Sequence, residues 1–110
     1  MEKTSIIHKF PIGGKIYIVE GYTTIYSRTI KNLQVDADGN VTYGCTSNLN
    51  IPEPDIDSGN SNKYSTFNRN WMKAFSSEEL AFKAIVKSGE KWVADVMKYN
   101  HKFALWYINQ

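Results

Sequence analysis

The chain has 110 residues, of which 42% are hydrophobic and 22% are charged, and its formal net charge is +2. This ordinary composition argues against wholesale disorder, and the length suits a single domain spanning residues 1–110. The small net charge does not by itself indicate nucleic acid, an acidic substrate or a membrane surface as partner.

The single cysteine and the first residues of the chain indicate in which cellular compartment the protein is expected. Cys45 is the only cysteine, so the chain has no second thiol for an intrachain disulfide or a thiolate metal cluster. The two apolar residues that follow Ser5 are too few for a secretory signal, and no stretch reaches membrane-spanning length. These features predict a cytoplasmic protein without a membrane segment.

Residues 10–47 predict a compact antiparallel β-meander or small barrel. Residues 15–19 are expected to form the first strand, with apolar side chains on both of its faces. Residues 23–35 form a longer second strand, and residues 41–46 return beside it. Between these two strands, residues 36–40 read Asp-Ala-Asp-Gly-Asn, small polar residues that tolerate positive φ and therefore predict a hairpin loop.

The second predicted strand changes its apolar face partway along. Ile25 lies on one parity and Ile30 on the other, and then Leu33 and Val35 return to the first. A strand that exchanges its buried face usually bends or carries a β-bulge, as strands do at a barrel corner. The pattern therefore predicts a bend in this strand.

Residues 48–70 predict a long loop. Pro52 and Pro54 interrupt regular structure, and residues 58–62 read Ser-Gly-Asn-Ser-Asn, a loop composition. A loop of roughly twenty residues is uncommon in a compact domain unless it is functional or mobile. The aromatic side chains expected to pin its second half onto the body are Tyr64, Phe67 and Trp71.

Residues 76–88 predict a helix. Ser76 is the expected N-cap, and Glu79 three residues later completes a capping box. Apolar residues then recur at helical spacing, and Gly89 is placed to end the helix.

Residues 90–108 allow two interpretations. As one helix, the segment has apolar residues over more than half of its circumference, although a helix packed on one side needs a stripe only about 100° wide. Such breadth implies burial on two sides or a second surface for a partner. Alternatively, the helix ends near Tyr99, Asn100 and His101 form a turn, and residues 103–108 close the meander as a strand.

These elements together predict an α+β fold. Its β part is the small bent antiparallel barrel over residues 10–47, and the long loop over residues 48–70 follows. Its helical part comprises residues 76–88 and a C-terminal helix, or helix plus strand, over residues 90–108.

Three segments resemble small uncharacterised proteins of phages and mobile elements. Residues 10–17, Phe-Pro-Ile-Gly-Gly-Lys-Ile-Tyr, are similar to their F-x-I-G-D-K-V-Y opening, although Gly14 stands where Asp is usual. Residues 30–33 and 38–43 resemble their second and third strands, and residues 75–81 resemble the F-x-T-K-E-E-A start of their single helix. The resemblance implies a Src-homology-three-like barrel with one helix and a phage or mobile-element origin. It implies no activity.

Two groups of residues suggest chemistry but lack the required surroundings. Residues 36–40 look like the front of a calcium loop, yet the glutamate at the twelfth position and the flanking helices are missing. Cys45 could be paired with His8 or His101 as nucleophile and base, but no nucleophile-elbow motif surrounds it. We therefore predict a protein that is not an enzyme and has no catalytic, cofactor or metal site.

The aromatic residues give the firmer functional signal. Seven tyrosines and three tryptophans exceed what a core of this size readily absorbs, and such residues are enriched in binding hot spots. They predict a protein-binding module, which the resemblance suggests is a phage- or element-encoded inhibitor of a host defence system. A homodimer through the C-terminal aromatic surface is one form of this association. The predicted contact residues are Tyr64, Phe67, Trp71, Trp92 and Trp106.

Two other functions remain open at this point. A nucleic-acid-binding barrel would place Lys91, Lys98 and Lys102 on one helix face and use barrel tyrosines for base stacking. The third hypothesis is a structural or oligomerisation protein of a phage or element. The tyrosines expected to stack on bases are Tyr17, Tyr22, Tyr26 and Tyr43.

Overall fold

The computed structural model describes residues 8–20, 24–57 and 72–110, and it confirms the predicted α+β class. The strands are β1 (Lys15–Glu20), β2 (Thr24–Val35), β3 (Val41–Cys45), β4 (Leu49–Pro52) and β5 (Met72–Phe75). Three helices follow: α1 (Glu78–Lys87), α2 (Glu90–Tyr99) and α3 (His101–Ile108).

The five strands form one curled antiparallel sheet in the order β4-β3-β2-β1-β5. The curl brings the two edges together, because Ile56, just after β4, forms a parallel bridge with Ala74 of β5. The backbone N–H of Asp57 donates to the carbonyl oxygen of Ala74 at 2.9 Å. The predicted small bent barrel is therefore confirmed as a half-barrel whose edges meet at this bridge.

β2 carries the bend that its apolar pattern predicts. Its register against β3 shifts between Ile30 and Asn32, which leaves Lys31 as the extra residue of a β-bulge. Ile30 lies in the barrel cluster, and Leu33, although of opposite parity, packs against the same cluster because the bulge between them changes the phase of the strand. Leu33 therefore does not return to the face of Ile25, which packs toward the helices.

In the first part of the loop predicted over residues 48–70, the structure has a strand instead. β4 pairs with β3 at the edge of the sheet, where the missing N–H of Pro52 is tolerated. Ile51 of this strand is buried in the barrel, and Pro54 lies in a short 3-10 turn over Glu53–Asp55. The prolines therefore end an edge strand and do not exclude one.

The predicted helix over residues 76–88 corresponds to α1, with a different cap. Ser77 is the N-cap, because its Oγ accepts a hydrogen bond from the backbone N–H of Leu80 at 3.2 Å. Ser76 instead donates to the carboxylate of Asp57, from its backbone N–H at 2.8 Å and from its Oγ at 2.5 Å. The capping role predicted for Ser76 is thus taken by its neighbour, while Ser76 ties α1 to the barrel seam.

The structure combines the two interpretations of residues 90–108. The chain leaves the helical conformation at Asn100, as the second interpretation predicts, but residues 101–108 form a helix and not a strand. Asn100 Oδ1 accepts a hydrogen bond from the backbone N–H of Phe103 at 2.8 Å, so this residue caps a new helix. The extended conformation of Asn100 therefore separates α3 from α2.

Buried residues form two clusters separated by β1. Ile16 and Ile18 point into the barrel, whereas Tyr17 and Val19 face the helices. The first strand is therefore covered on both faces, as its sequence predicts. The barrel cluster consists of Ile16, Ile18, Ile30, Val41, Tyr43, Cys45, Ile51, Ile56 and Ala74. The helix-side cluster consists of Val19, Phe75, Ala81, Phe82, Ala84, Ile85, Trp92, Val93, Val96 and Phe103.

Candidate functional site

The predicted contact residues do not all lie at a described surface. Tyr64, Phe67 and Trp71 lie outside the described residues. Trp92 is only 3% exposed and belongs to the helix-side cluster, so in this fold its ring supports the core. Trp106 is half-buried and packs against the same cluster from outside. Of the five residues, Trp106 is therefore the one that the structure places at a described surface.

The inner side of α3 is fixed to the body by a cluster of aromatic rings. Phe103 is fully buried and meets Phe82 of α1 edge to face, with ring centroids 5.2 Å apart. The Trp106 ring lies 5.3 Å from Phe82 and 5.9 Å from Phe103. Tyr107 stacks on Phe103 at 6.0 Å and stays partly exposed. Such ring pairs add specific geometry to burial, so the orientation of α3 about its axis is well determined.

Apart from His101 in the first turn, the outer side of α3 is also apolar. At about 100° per residue, His101, Ala104, Leu105 and Ile108 fall on one face, roughly opposite Phe103. We call these four residues the outer stripe. Leu105 is 51% exposed and Ile108 is 69% exposed. The outer stripe contains no aspartate, glutamate, lysine or arginine.

Exposed apolar side chains concentrate near the C-terminal end of the described chain. Tyr99, Leu105, Tyr107 and Ile108 all fall within residues 99–108. Single exposed apolar residues are normal on any protein, but a cluster of them marks an interaction surface more often than chance would. Among the described residues, the other exposed large apolar side chains are Ile12, Val35 and Met72 and, both on α1, Leu80 and Val86.

An ion pair connects the first turn of α3 to α1. Lys102 Nζ lies 2.7 Å from Glu78 Oε1, and the hydrogen bond to this carboxylate holds the pKa of Lys102 above its ordinary value. Both groups are solvent-accessible enough that the pair adds little stability. Its main consequence is that the charge of Lys102 is paired toward the body and away from the outer stripe.

A cleft of about 250 Å³ lies where β1 and β2 meet the helices. It brings together Tyr17, Tyr26 and Lys102, three of the residues that sequence reasoning connects with nucleic acid. Tyr43 does not join them, because it is fully buried inside the barrel. Tyr22 lies outside the described residues. The remaining lining residues are Ile25, Ser27, Glu78 and Asn100.

The buried Tyr43 has a structural partner for its polar tip. Its hydroxyl donates to the carboxylate of Glu53 and accepts from the backbone N–H groups of Lys9 and Phe10, each at 3.1 Å. The hydrogen bond from Tyr43 holds the pKa of Glu53 below its ordinary value, and burial raises the pKa of Tyr43. This network fastens the segment before β1 onto the end of the barrel.

In the hairpin between β2 and β3, the acidic residue Asp36 makes hydrogen bonds within the turn itself. Asp36 Oδ1 accepts hydrogen bonds from the backbone N–H groups of Asp38 and Asn40, both at 2.9 Å. A side-chain hydrogen bond from Asn40 holds the pKa of Asp36 below its ordinary value. The carboxylate thus serves the turn, as expected for an aspartate that begins a hairpin loop.

Three further features of the described ranges concern metal binding, the cysteine thiol and membrane crossing. In residues 8–20, 24–57 and 72–110, no three His, Cys, Asp or Glu side chains are grouped so that they could hold a metal ion. Cys45 is buried, and this burial raises the pKa of its thiol. The helices of these ranges include none with the length and apolar character needed to cross a membrane.

Comparisons with protein-family models, with curated proteins and with solved structures give no match to this chain. A functional proposal therefore rests on its own residues, and α3 offers the most distinctive arrangement. Leu105 and Ile108 were missed from the sequence because their face depends on which side of α3 meets α1. The signal that could have found them is the capping asparagine at position 100, which sets the start of a new helical repeat.

Proposed function

We propose that this protein is a non-enzymatic protein-binding module whose contact surface is the outer stripe of α3, bordered by Trp106 and Tyr107. The observation that supports the proposal is that α3 carries apolar side chains on its inner and its outer side, apart from His101 and Lys102 in the first turn, but packs against the body on the inner side only. A helix with so broad an apolar surface normally buries more than one side. A partner seated on the outer stripe would bury Leu105 and Ile108 and complete the burial of the helix.

The size of the exposed side chains sets the strength of this contact. Fully burying a leucine or isoleucine is worth about 1.5–3 kcal/mol, and Leu105 and Ile108 are already partly covered. The two side chains together therefore contribute about 3 kcal/mol or less. Because association itself is costly, a partner must also contact the aromatic border of the outer stripe.

A binding experiment with matched variants tests the proposal. The wild-type protein, Leu105→Glu/Ile108→Glu and the control Val86→Glu are immobilised and exposed to proteins of the native host. Val86 is a suitable control because it is an exposed apolar residue on a different helix, α1, and is not part of the outer stripe. Retained proteins are then identified, purified and titrated against each form by calorimetry.

We expect a partner that binds the wild type and Val86→Glu equally and binds the double glutamate variant about 100-fold more weakly, because two buried charges then replace apolar contacts. A partner that binds the double variant as tightly as the wild type contradicts the proposal. The same holds if no retained protein distinguishes the two forms.

A more specific form of this proposal is that the protein is encoded by a phage or mobile element and inhibits a host defence system in the cytoplasm. Its support is the resemblance carried by residues 10–17 and 75–81. Expression of the wild type in a host with active defences should raise phage plating efficiency, and Leu105→Glu/Ile108→Glu should not. Equal plating with both proteins speaks against inhibition through the outer stripe.

Nucleic-acid binding is the second candidate, and the cleft beside Tyr17 favours it. Half-buried Tyr17 and Tyr26 lie there with Lys102, which is the combination of rings and cation used to hold single strands. If the cleft binds a single-stranded oligonucleotide, affinity will fall steeply with salt, and Lys102→Gln will flatten the salt dependence by about one unit of slope. No binding at low salt removes this candidate.

A further inference from the structure

The sheet closes on itself through a short segment after β4. Residues 53–57, which we call the strap, make a 3-10 turn over Glu53–Asp55 and then reach β5. Within the part of the chain that the structure describes, the two sheet edges are joined at one isolated bridge, between Ile56 and Ala74. By contrast, β1 is paired with β2 along its whole length. The strap therefore closes the barrel with fewer backbone contacts than the inner strands have.

A carboxylate anchors each end of the strap. At its start, Glu53 accepts a hydrogen bond from the hydroxyl of Tyr43. At its end, Asp57 accepts two hydrogen bonds from Ser76, from the backbone N–H at 2.8 Å and from Oγ at 2.5 Å. Between these anchors, Ile56 is the strap residue whose side chain is buried. Release of the Asp57 anchor therefore leaves one buried side chain to hold that end.

The backbone of Asp57 is in the left-handed region, with φ at +60°. Residues other than glycine adopt this conformation at a cost, although aspartate tolerates it better than most. Such a conformation persists where the surrounding contacts hold it. Here those contacts are the two hydrogen bonds from Ser76 and the bond from the Asp57 N–H to the carbonyl oxygen of Ala74 at 2.9 Å. Release of the strap relieves this strain.

We infer that the strap opens and closes the barrel seam while the rest of the molecule stays folded, with the contact between Asp57 and Ser76 as its latch. Segments with few buried contacts open locally at a lower free-energy cost than global unfolding. Opening uncovers the barrel cluster at Ile51 and Ile56 and frees the carbonyl oxygen of Ala74. The inference is independent of the proposed function, because neither the strap nor Ser76 belongs to the outer stripe.

The latch joins the barrel to the helical part of the molecule. Ser76 immediately precedes Ser77, the N-cap of α1, so the position of α1 on the sheet determines where the partner of Asp57 lies. The two adjacent serines are both partly buried but have different partners. Ser76 Oγ donates to Asp57, whereas Ser77 Oγ accepts from the backbone N–H of Leu80 at 3.2 Å. They form a matched pair for testing the latch.

Native-state amide hydrogen exchange of the wild-type protein tests whether the strap opens. The reporters are the amides of Ile56 and Asp57, which bond to the carbonyl oxygens of Glu53 and Ala74, and the reference is the amide of Ile18 in β1. Protection of both reporters should be at least about tenfold lower than that of Ile18 and insensitive to low urea, because local opening exposes little surface. Equal protection and equal urea dependence of all three amides overturn the inference.

Substitution of the two serines tests the latch. Ser76→Ala removes the hydrogen bond from Oγ and should lower the protection of the Asp57 amide about tenfold, because a hydrogen bond to a charged group is lost. Ser77→Ala should lower the protection of Leu80, whose amide it uncaps, and leave that of Asp57 unchanged. No effect of Ser76→Ala on Asp57, or an equal effect of both substitutions, overturns the role of the latch.

Asp57→Gly separates the carboxylate from the backbone strain. Glycine adopts a positive φ readily, so this substitution relieves the strain and removes both acceptor oxygens. Protection of the Ile56 amide should fall about a hundredfold while that of Ile18 stays in place. Asp38→Asn, which removes an exposed charge in the hairpin, should leave both unchanged. Wild-type protection of Ile56 in Asp57→Gly overturns the latch, and loss of protection at Ile18 as well overturns local opening.

Discussion

The barrel and α3 differ in how completely they bury their apolar side chains. Inside the barrel, Ile16, Ile18 and Ile30 are almost fully removed from solvent, and the hydroxyl of Tyr43 has hydrogen-bond partners. In α3 one apolar face is sealed against α1, while the opposite face leaves Leu105 and Ile108 more than half exposed. Under the proposed function, this difference separates a face of α3 that serves association from the remainder of the molecule, which serves folding.

The largest expected contrast lies within α3 itself. Phe103→Ala should lower the free energy of unfolding by about 3–5 kcal/mol, because it empties a fully buried site between helices. Leu105→Ala, two residues away, should change it by about 0.5 kcal/mol or less. Urea denaturation of both variants provides the measurement. Similar losses for both would abolish the distinction between the two faces.

Substitution of Trp106 is expected to reduce stability less than substitution of Phe103 and more than substitution of Leu105. Trp106→Ala should cost about 2 kcal/mol of stability, roughly half the loss of a fully buried ring, because Trp106 is half-buried against Phe82 and Phe103. It should also weaken association while the barrel stays folded. Amide NMR spectra report on barrel integrity and sedimentation reports on association. If the variant unfolds outright, Trp106 serves the core and not the partner surface.

A smaller effect is expected where the barrel backbone is most crowded. A Cβ added at Gly44 of β3 would lie 2.2 Å from Oδ1 of Asn32, the residue after the β2 bulge. Because the exposed Asn32 side chain can turn away, Gly44→Ala should destabilise the protein by about 1 kcal/mol or less. Removing the obstructing amide in Gly44→Ala/Asn32→Ala should recover most of that loss, as thermal unfolding would show. No recovery would mean that the crowding is not at Asn32.

The smallest effect concerns acid stability of the barrel end. The folded-state pKa of Glu53 is lowered by the hydrogen bond from Tyr43, so its stabilisation is present above the unfolded value near 4.5 and is lost as pH falls through the folded value. Glu53→Gln should reduce the loss of stability below about pH 4.5. The exposed control Glu90→Gln should leave the acid profile of unfolding unchanged. A wild-type profile in Glu53→Gln would show that this carboxylate does not contribute.

Local patterns were sufficient to predict most of the barrel and α1. Alternating apolar residues indicate β1, the parity change at Ile30 predicts the bulge, and the turn residues after β2 predict the hairpin. β4 was not predicted, because Pro52 reads as a breaker unless the strand is known to lie at a sheet edge. Edge position is decided by strand order, and strand order depends on contacts between residues far apart in the chain.

In the C-terminal part, local sequence patterns were not sufficient to predict the structure. Aromatic and branched residues after Asn100 suit a strand, yet the packing of Phe103 on Phe82 favours a helix capped by Asn100. The sequence indicated a broad apolar surface on the assumption of one continuous helix, which the structure interrupts at Asn100. It did not indicate which side α1 would cover, so Trp92 was expected at the surface and Leu105 and Ile108 were not.

Amide NMR of the wild-type protein during titration with the protein retained from the native host tests the central claim most directly, because it reports on both regions in one sample. Addition of that partner should shift the amide signals of Ala104, Leu105 and Ile108 and leave those of Ile16 and Ile18 in place. Static α3 signals, or shifts that occur in the barrel instead, would contradict the proposal that the outer stripe is the contact surface.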